Sequence, residues 1–120
     1  MKTVYLGMSM DILHHGHINI IEQAAKCGQL TVGLLTDEVI AKNKRVPLLK
    51  FDERKRILQS IKGVHEVIEQ DEWSYVSNIK KLKPDFFFHG DDWLEGPLAS
   101  VKRDVVATLN SYGGKLIEIP

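Results

Sequence analysis

The chain has 120 residues, 43 % of them apolar and 27 % charged, with sixteen basic side chains against sixteen acidic ones. That is one domain's length and the balance of a soluble globular protein, and the net charge of zero excludes the positive field of a nucleic-acid binder. A lone cysteine, Cys27, excludes an internal disulfide, and no apolar run approaches the roughly 18 residues a bilayer span needs. With no signal peptide ahead of Met1-Lys2-Thr3-Val4-Tyr5, the expected location is the cytoplasm.

Taken in chain order, Thr3 to Met8 is a short apolar run without helical period and predicts a buried strand. From His17 to Lys26 the apolar residues Ile18, Ile21 and Ala25 recur at helical spacing, and Gly28 is a stop signal. Leu30 to Leu35 is a second strand, ending at Thr36-Asp37. The basic stretch Lys42-Asn43-Lys44-Arg45 leads to Pro47 and reads as loop. Asp52 is placed to cap a helix that turns Ile57, Leu58 and Ile61 inward and closes at Gly63. Val64 to Ile68 predicts a third strand, and Ser74 to Leu82 a helix that ends before Pro84. Phe86-Phe87-Phe88-His89 is a fourth strand, followed by Gly90-Asp91-Asp92-Trp93. A last helix, Leu98 to Tyr112, stops at Gly113-Gly114 and precedes a fifth strand, Leu116 to Ile119.

Strands alternating with helices, several of them apolar on both faces, predict a doubly wound α/β domain with about five parallel strands and helices on both faces. Such sheets bind ligands beyond the carboxyl ends of their strands, so the expected site lies after Met8, after Leu35 and after His89.

The first strand–helix junction carries the chemistry. His14 and His17 are three apart, and the second opens a helix, which puts two imidazoles beside free helix N–H groups. Gly16 removes a side chain where a phosphate would approach. Two imidazole donors and a helix N-terminus suit a transition state that gathers charge on phosphorus oxygens. A pair of surface histidines or a zinc site is the alternative, and the absence of a second ligand group at metal spacing disfavours zinc. Neither G-x-G-x-x-G nor a glycine-rich loop ending in Gly-Lys-Ser/Thr is present, which disfavours a dinucleotide oxidoreductase and a P-loop kinase.

Gly7 through His17, with His14-His15-Gly16-His17 as a His-x-Gly-His signature, resembles the cytidylyltransferases, which include enzymes acting on glycerol 3-phosphate, phosphocholine and phosphoethanolamine. The likeness continues through Thr36-Asp37-Glu38, Glu53-Arg54-Lys55, Trp73 and Gly90-Asp91-Asp92-Trp93, in the family's order and across essentially the whole chain. Val4 to Ser9 and His17 to Ile21 look closest to a branch fused or linked to phosphoenolpyruvate mutase.

The resemblance implies a Rossmann-like fold and transfer of CMP from CTP to a small phosphate- or phosphonate-bearing alcohol, with magnesium on the CTP phosphates and pyrophosphate released. It implies that His14 and His17 bind the phosphates and stabilise charge during in-line attack, aided by Lys44 and Arg54. Gly7, Met8, Ser9, Met10, Gly16 and Arg45 would hold the nucleotide, with His89 and Gly90 toward its base and Asp92 toward the cytosine amino group or the magnesium on the triphosphate. Asp37 would face the acceptor or clamp a lysine of the basic loop, and Trp73 would pack against the acceptor or in the core. Asp11 would brace its loop, and Lys42 is a further candidate in the basic stretch. A homodimer is also implied. In the family an Arg-Thr-x-Gly-Ile-Ser-Thr/Ser element follows the fifth strand, whereas here Ile117-Glu118-Ile119-Pro120 matches only the lead-in, and a longer protein is the expectation. The rival readings are an adenylyltransferase of the same superfamily and a nucleotide-binding domain without catalysis.

Overall fold

The computed structural model describes residues 1–10, 13–43, 46–91 and 98–120. The five expected strands and four expected helices are present, joined by one helix that was not expected, α2: β1 (Thr3–Met8), α1 (His15–Cys27), β2 (Gln29–Leu35), α2 (Asp37–Asn43), α3 (Phe51–Gln59), β3 (Val64–Gln70), α4 (Val76–Leu82), β4 (Phe86–Gly90), α5 (Leu98–Asn110) and β5 (Lys115–Ile119). The strands form one parallel sheet in the order β3-β2-β1-β4-β5. The chain winds outward from β1 to β3, then crosses back to place β4 on the other side of β1. The strand order therefore reverses between β1 and β4, where a Rossmann-like sheet opens a crevice.

Alternation along the central strands divides the core in two. Val4, Leu6 and Phe88 point to one face and pack with Ile21 and Ala24 of α1 and Leu58 of α3. Tyr5 and Phe87 point to the other and pack with Ile79 of α4 and Val105 and Leu109 of α5. Both faces of β1 and β4 are thus covered, which accounts for their lack of polar alternation.

The second core face contains a buried polar network. The Tyr5 hydroxyl donates to Gln70 Oε1 at 2.6 Å and accepts from Asn78 Nδ2 at 2.9 Å. Burial pushes the Tyr5 hydroxyl up well above its ordinary range, so it stays a donor. Gly33 makes this possible, because a Cβ there would collide with the Tyr5 hydroxyl. Gln70 in turn donates from Nε2 to the Glu72 carbonyl at 3.2 Å, so the network reaches from β1 into the turn that carries Trp73. Such bonds matter mainly because leaving a buried partner unsatisfied costs about 1–3 kcal/mol. At the opposite end of the sheet, Thr3 N–H donates to Asp85 Oδ2 at 2.8 Å, tying the starts of β1 and β4 and holding that carboxyl below its usual range.

Three of the differences from the expected boundaries have clear local reasons. Lys42 and Asn43 are helical rather than loop, since α2 buries Val39 and Ile40 and starts under Thr36, whose carbonyl accepts from Ile40 N at 3.1 Å. Asp37 and Glu38 in its first turn complement the helix dipole. Helix α3 is capped at Lys50 rather than Asp52, because Glu53 reaches back to accept from Lys50 N at 3.1 Å. Strand β3 runs two residues further, to Gln70, which pairs in register with Leu35 and is buried by the Tyr5 network.

Candidate active site

A cleft of about 880 Å³ opens over the carboxyl ends of β1 and β4. Its floor is Gly7, Met8 and Ser9. One wall is the start of α1, with His14, Gly16 and His17; the other carries Trp73 and Tyr75 from the β3–α4 turn and His89, Gly90 and Asp91 from the end of β4.

The two histidines are the cap of α1. His14 is the N-cap residue, and its Nδ1 accepts from Gly16 N at 3.0 Å. His17, three residues on, accepts from His14 N through its own Nδ1 at 3.1 Å. The pair thus forms a reciprocal capping arrangement normally built from Ser or Thr with Glu. The rings lie 4.0 Å apart between centroids. An Nδ1 that accepts has no proton, so in each neutral ring the proton sits on Nε2, away from the helix backbone. Capping and presentation of an N–H donor are therefore one property of the same two side chains.

Two glycines of the cleft make room for neighbouring rings. A Cβ on Gly16 would lie 2.8 Å from His14 Cε1, so this glycine makes room for the His14 ring to fold over the helix start. At Gly7 a Cβ would run into the Tyr75 ring and come within 2.9 Å of Gln70 Oε1. The bare backbone at Gly7 admits an aromatic ring from the β3–α4 turn.

Arg54 and Asp37 are placed elsewhere than expected. Arg54, anticipated as a substrate-orienting cation, is fully buried. Its Nη1 donates to the carbonyls of Ser9 and Leu35, each at 2.8 Å, and its Nε to Leu49 O at 3.1 Å. Nη2 donates to Asp37 Oδ1 at 2.7 Å, so the Asp37 carboxylate holds this arginine. One guanidinium thereby ties the ends of β1 and β2 to the starts of α2 and α3, a use that suits arginine's planar fork of donors. The Met10 side chain is fully buried in the core, and its backbone takes a left-handed φ of 45°. Neither Arg54, Asp37 nor Met10 is among the described residues lining the cleft.

Lys44, Arg45 and Asp92, together with Asp11 and Trp93, lie outside the described residues. The sequence reading missed Tyr75, Asn19 and Asn43, all on the cleft wall. Asn19 follows His17 closely enough to have been a candidate on the same helix start. Tyr75 offered no local signal, because what brings it in is the empty position at Gly7.

Residues 5–114 match the model of the cytidylyltransferase-like family, and the chain belongs to that family; it is a nucleotidyltransferase. A glycerol-3-phosphate cytidylyltransferase of Bacillus spizizenii is 38 % identical over 95 residues, spanning 78 % of this chain and 74 % of that protein. An FAD synthase of Ferroglobus placidus is 32 % identical over 114 residues, 88 % of this chain and 75 % of that one. An ethanolamine-phosphate cytidylyltransferase of Arabidopsis thaliana is 37 % identical over 95 residues, but this chain spans only 23 % of it. Among solved structures, a lipopolysaccharide core biosynthesis protein from Thermoplasma volcanium superposes with a TM-score of 0.83 over 100 % of this chain and 97 % of that one. At 24 % identity that likeness establishes the shared fold.

Proposed function

We propose that this domain transfers CMP from CTP to a small alcohol bearing a phosphate or phosphonate. One observation carries the proposal: His14 and His17, both on the cleft wall, spend Nδ1 on the helix start and carry a proton on Nε2. Two such donors beside a helix N-terminus suit a triphosphate whose charge grows as the bond to pyrophosphate breaks.

In the reaction, an oxygen of the acceptor's phosphate or phosphonate forms a bond to the α-phosphorus of CTP. The bridging oxygen between the α- and β-phosphorus leaves with the electron pair as pyrophosphate. The acceptor oxygen is already anionic, so no general base and no covalent enzyme intermediate are required. The protein's part is positioning and charge stabilisation. His14 and His17 stabilise the phosphate oxygens, Gly7 to Ser9 form the floor beneath them, and Arg54 is a positioning residue that fixes the Ser9 carbonyl and the end of β2. Lys44 and Arg45 are proposed for the phosphates and Asp92 for the base side.

Among the described residues no three His, Cys, Asp or Glu side chains come together as a metal cage, and Asp91 is a carboxylate on the cleft wall. That donor set fits a magnesium ion carried mainly on triphosphate oxygens, which needs only one or two carboxylates. When bound, such an ion supplies neutralisation of phosphate charge.

No helix of the described residues is long and apolar enough to cross a membrane. A cytoplasmic location, a homodimer and a link to a phosphoenolpyruvate mutase domain remain part of the proposal, on the resemblance alone.

A second reading, ATP in place of CTP, is favoured by the likeness to an FAD synthase over 114 residues. Pyrophosphate release decides between them. With magnesium and a panel of glycerol 3-phosphate, phosphocholine, phosphoethanolamine and 2-aminoethylphosphonate, CTP is expected to support turnover with at least one acceptor. Turnover with ATP and none with CTP would reject the cytidylyl reading. Binding of CTP without turnover on any acceptor would reject catalysis of this class.

A further inference from the structure

We infer that Tyr75 is a positioning residue for base discrimination, acting through His89 on the peptide carbonyl at the end of β4. The inference rests on the reading above that the end of β4 receives the nucleotide base.

Tyr75 lies in the turn between β3 and α4, and its ring occupies the space that the missing side chain of Gly7 leaves beside β1. It packs on Phe87 at 5.2 Å between ring centroids and meets His89 edge-on at 5.4 Å. Its hydroxyl oxygen lies 3.2 Å from His89 Nε2, and His89 Nδ1 lies 2.7 Å from the carbonyl oxygen of Gly90. A carbonyl can only accept, so Nδ1 carries a proton. In the neutral ring Nε2 then has a lone pair, and the Tyr75 O–H donates to it. His89 is thus held in the opposite tautomer to His14 and His17, whose Nδ1 atoms accept.

The three groups form a directed chain from the Tyr75 hydroxyl through His89 to the Gly90 carbonyl. Asp91 N, the other side of the same peptide, donates to Ile119 O at 3.1 Å. The peptide between Gly90 and Asp91 is therefore fixed from both sides, one of them by a side chain that Tyr75 orients. Residues 89, 90 and 91 all line the cleft. A base with an exocyclic amino group differs from its oxo counterpart by exchanging a donor for an acceptor. A rigid peptide edge discriminates between them because the wrong base leaves a polar group unpaired.

Tyr75→Phe removes only the hydroxyl and keeps the ring that fills the space at Gly7. Two readouts follow on wild type and variant, with folding checked by thermal melting. First, nitrogen NMR of ¹⁵N-histidine-labelled protein is expected to show the Nδ1–H tautomer for His89 in the wild type and a mixture in Tyr75→Phe. Second, the ratio of kcat/KM for the amino-bearing nucleotide over the oxo-bearing one, CTP over UTP, is expected to fall about tenfold, the size of one lost hydrogen bond. Loss of packing alone would lower both rates and leave the ratio unchanged.

A wild-type Nε2–H tautomer at His89 overturns the inference, as does a CTP to UTP ratio that survives loss of the tautomer. If the wild type takes ATP instead, the CTP reading fails separately, and the same inference then predicts a tenfold fall in ATP over ITP. A wild type that binds no nucleotide overturns both.

Discussion

Replacing His14 or His17 by asparagine is expected to lower turnover on the order of 10²–10³-fold, the loss seen when a transition-state oxyanion donor is removed. Asparagine is chosen because its Oδ1 can take over the cap that Nδ1 supplies, asparagine being among the best N-cap residues. Thermal stability of His14→Asn should stay close to wild type, whereas His14→Ala should also lose about 1 kcal/mol with the cap. Pyrophosphate release and melting, measured on the same preparations, separate the two roles. An asparagine variant with ordinary turnover would show that the rings only cap the helix.

The largest stability effect is expected at Arg54. Its guanidinium satisfies three backbone carbonyls and one carboxylate from a fully buried position. Arg54→Met strands the carbonyl of Leu35, whose bond to Nη1 is buried, and leaves Asp37 without its cation. The Asp37 side chain is 37 % exposed, so water can solvate its charge, and the cost should fall near the lower end of the range for breaking a buried pair, about 3 kcal/mol. Arg54→Lys should not rescue it, because one ammonium cannot span acceptors on four segments; a loss of about 2 kcal/mol is expected. Urea unfolding reads both values as a lower midpoint at unchanged slope. A lysine variant within 0.5 kcal/mol of wild type would reject the bracing role.

These two sites also mark what the sequence could and could not yield. The parallel fold was legible because β1 and β4 are apolar on both faces, and because helical periodicity between strands is strong in α1 and α5. The position of the cleft followed from topology, and Gly7, Ser9, His14, Gly16, His17, Trp73, His89 and Gly90 were each anticipated there. What was illegible were side-chain directions set by tertiary partners. Arg54 was expected to aid the histidines at the phosphates, which requires a cation facing the site. Its burial depends on carbonyls from Ser9, Leu35 and Leu49, remote in sequence from one another, which no local pattern encodes. In the same way Gly16 was read as a clearance for a phosphate and Gly7 only as a nucleotide contact, whereas the space of their missing side chains is taken by the rings of His14 and Tyr75. The helical fate of Lys42 and Asn43 was hidden by basic composition, although Val39 and Ile40 one turn earlier carry the burial that decides it. Cap identity failed at α3 for a related reason: Asp52 has the right chemistry, but Glu53 one residue later has the reach to Lys50 N.

The proposed function depends on the phosphates of CTP meeting the Nε2 protons at the start of α1. The chain has five histidines, and His65 lies on β3, outside the residues lining the cleft, which supplies an internal control. Titrating CTP and magnesium into ¹⁵N-histidine-labelled protein should move the Nε2 signals of His14 and His17 together and leave His65 unmoved. Saturation of the binding heat with the His14 and His17 signals fixed in place would contradict the account.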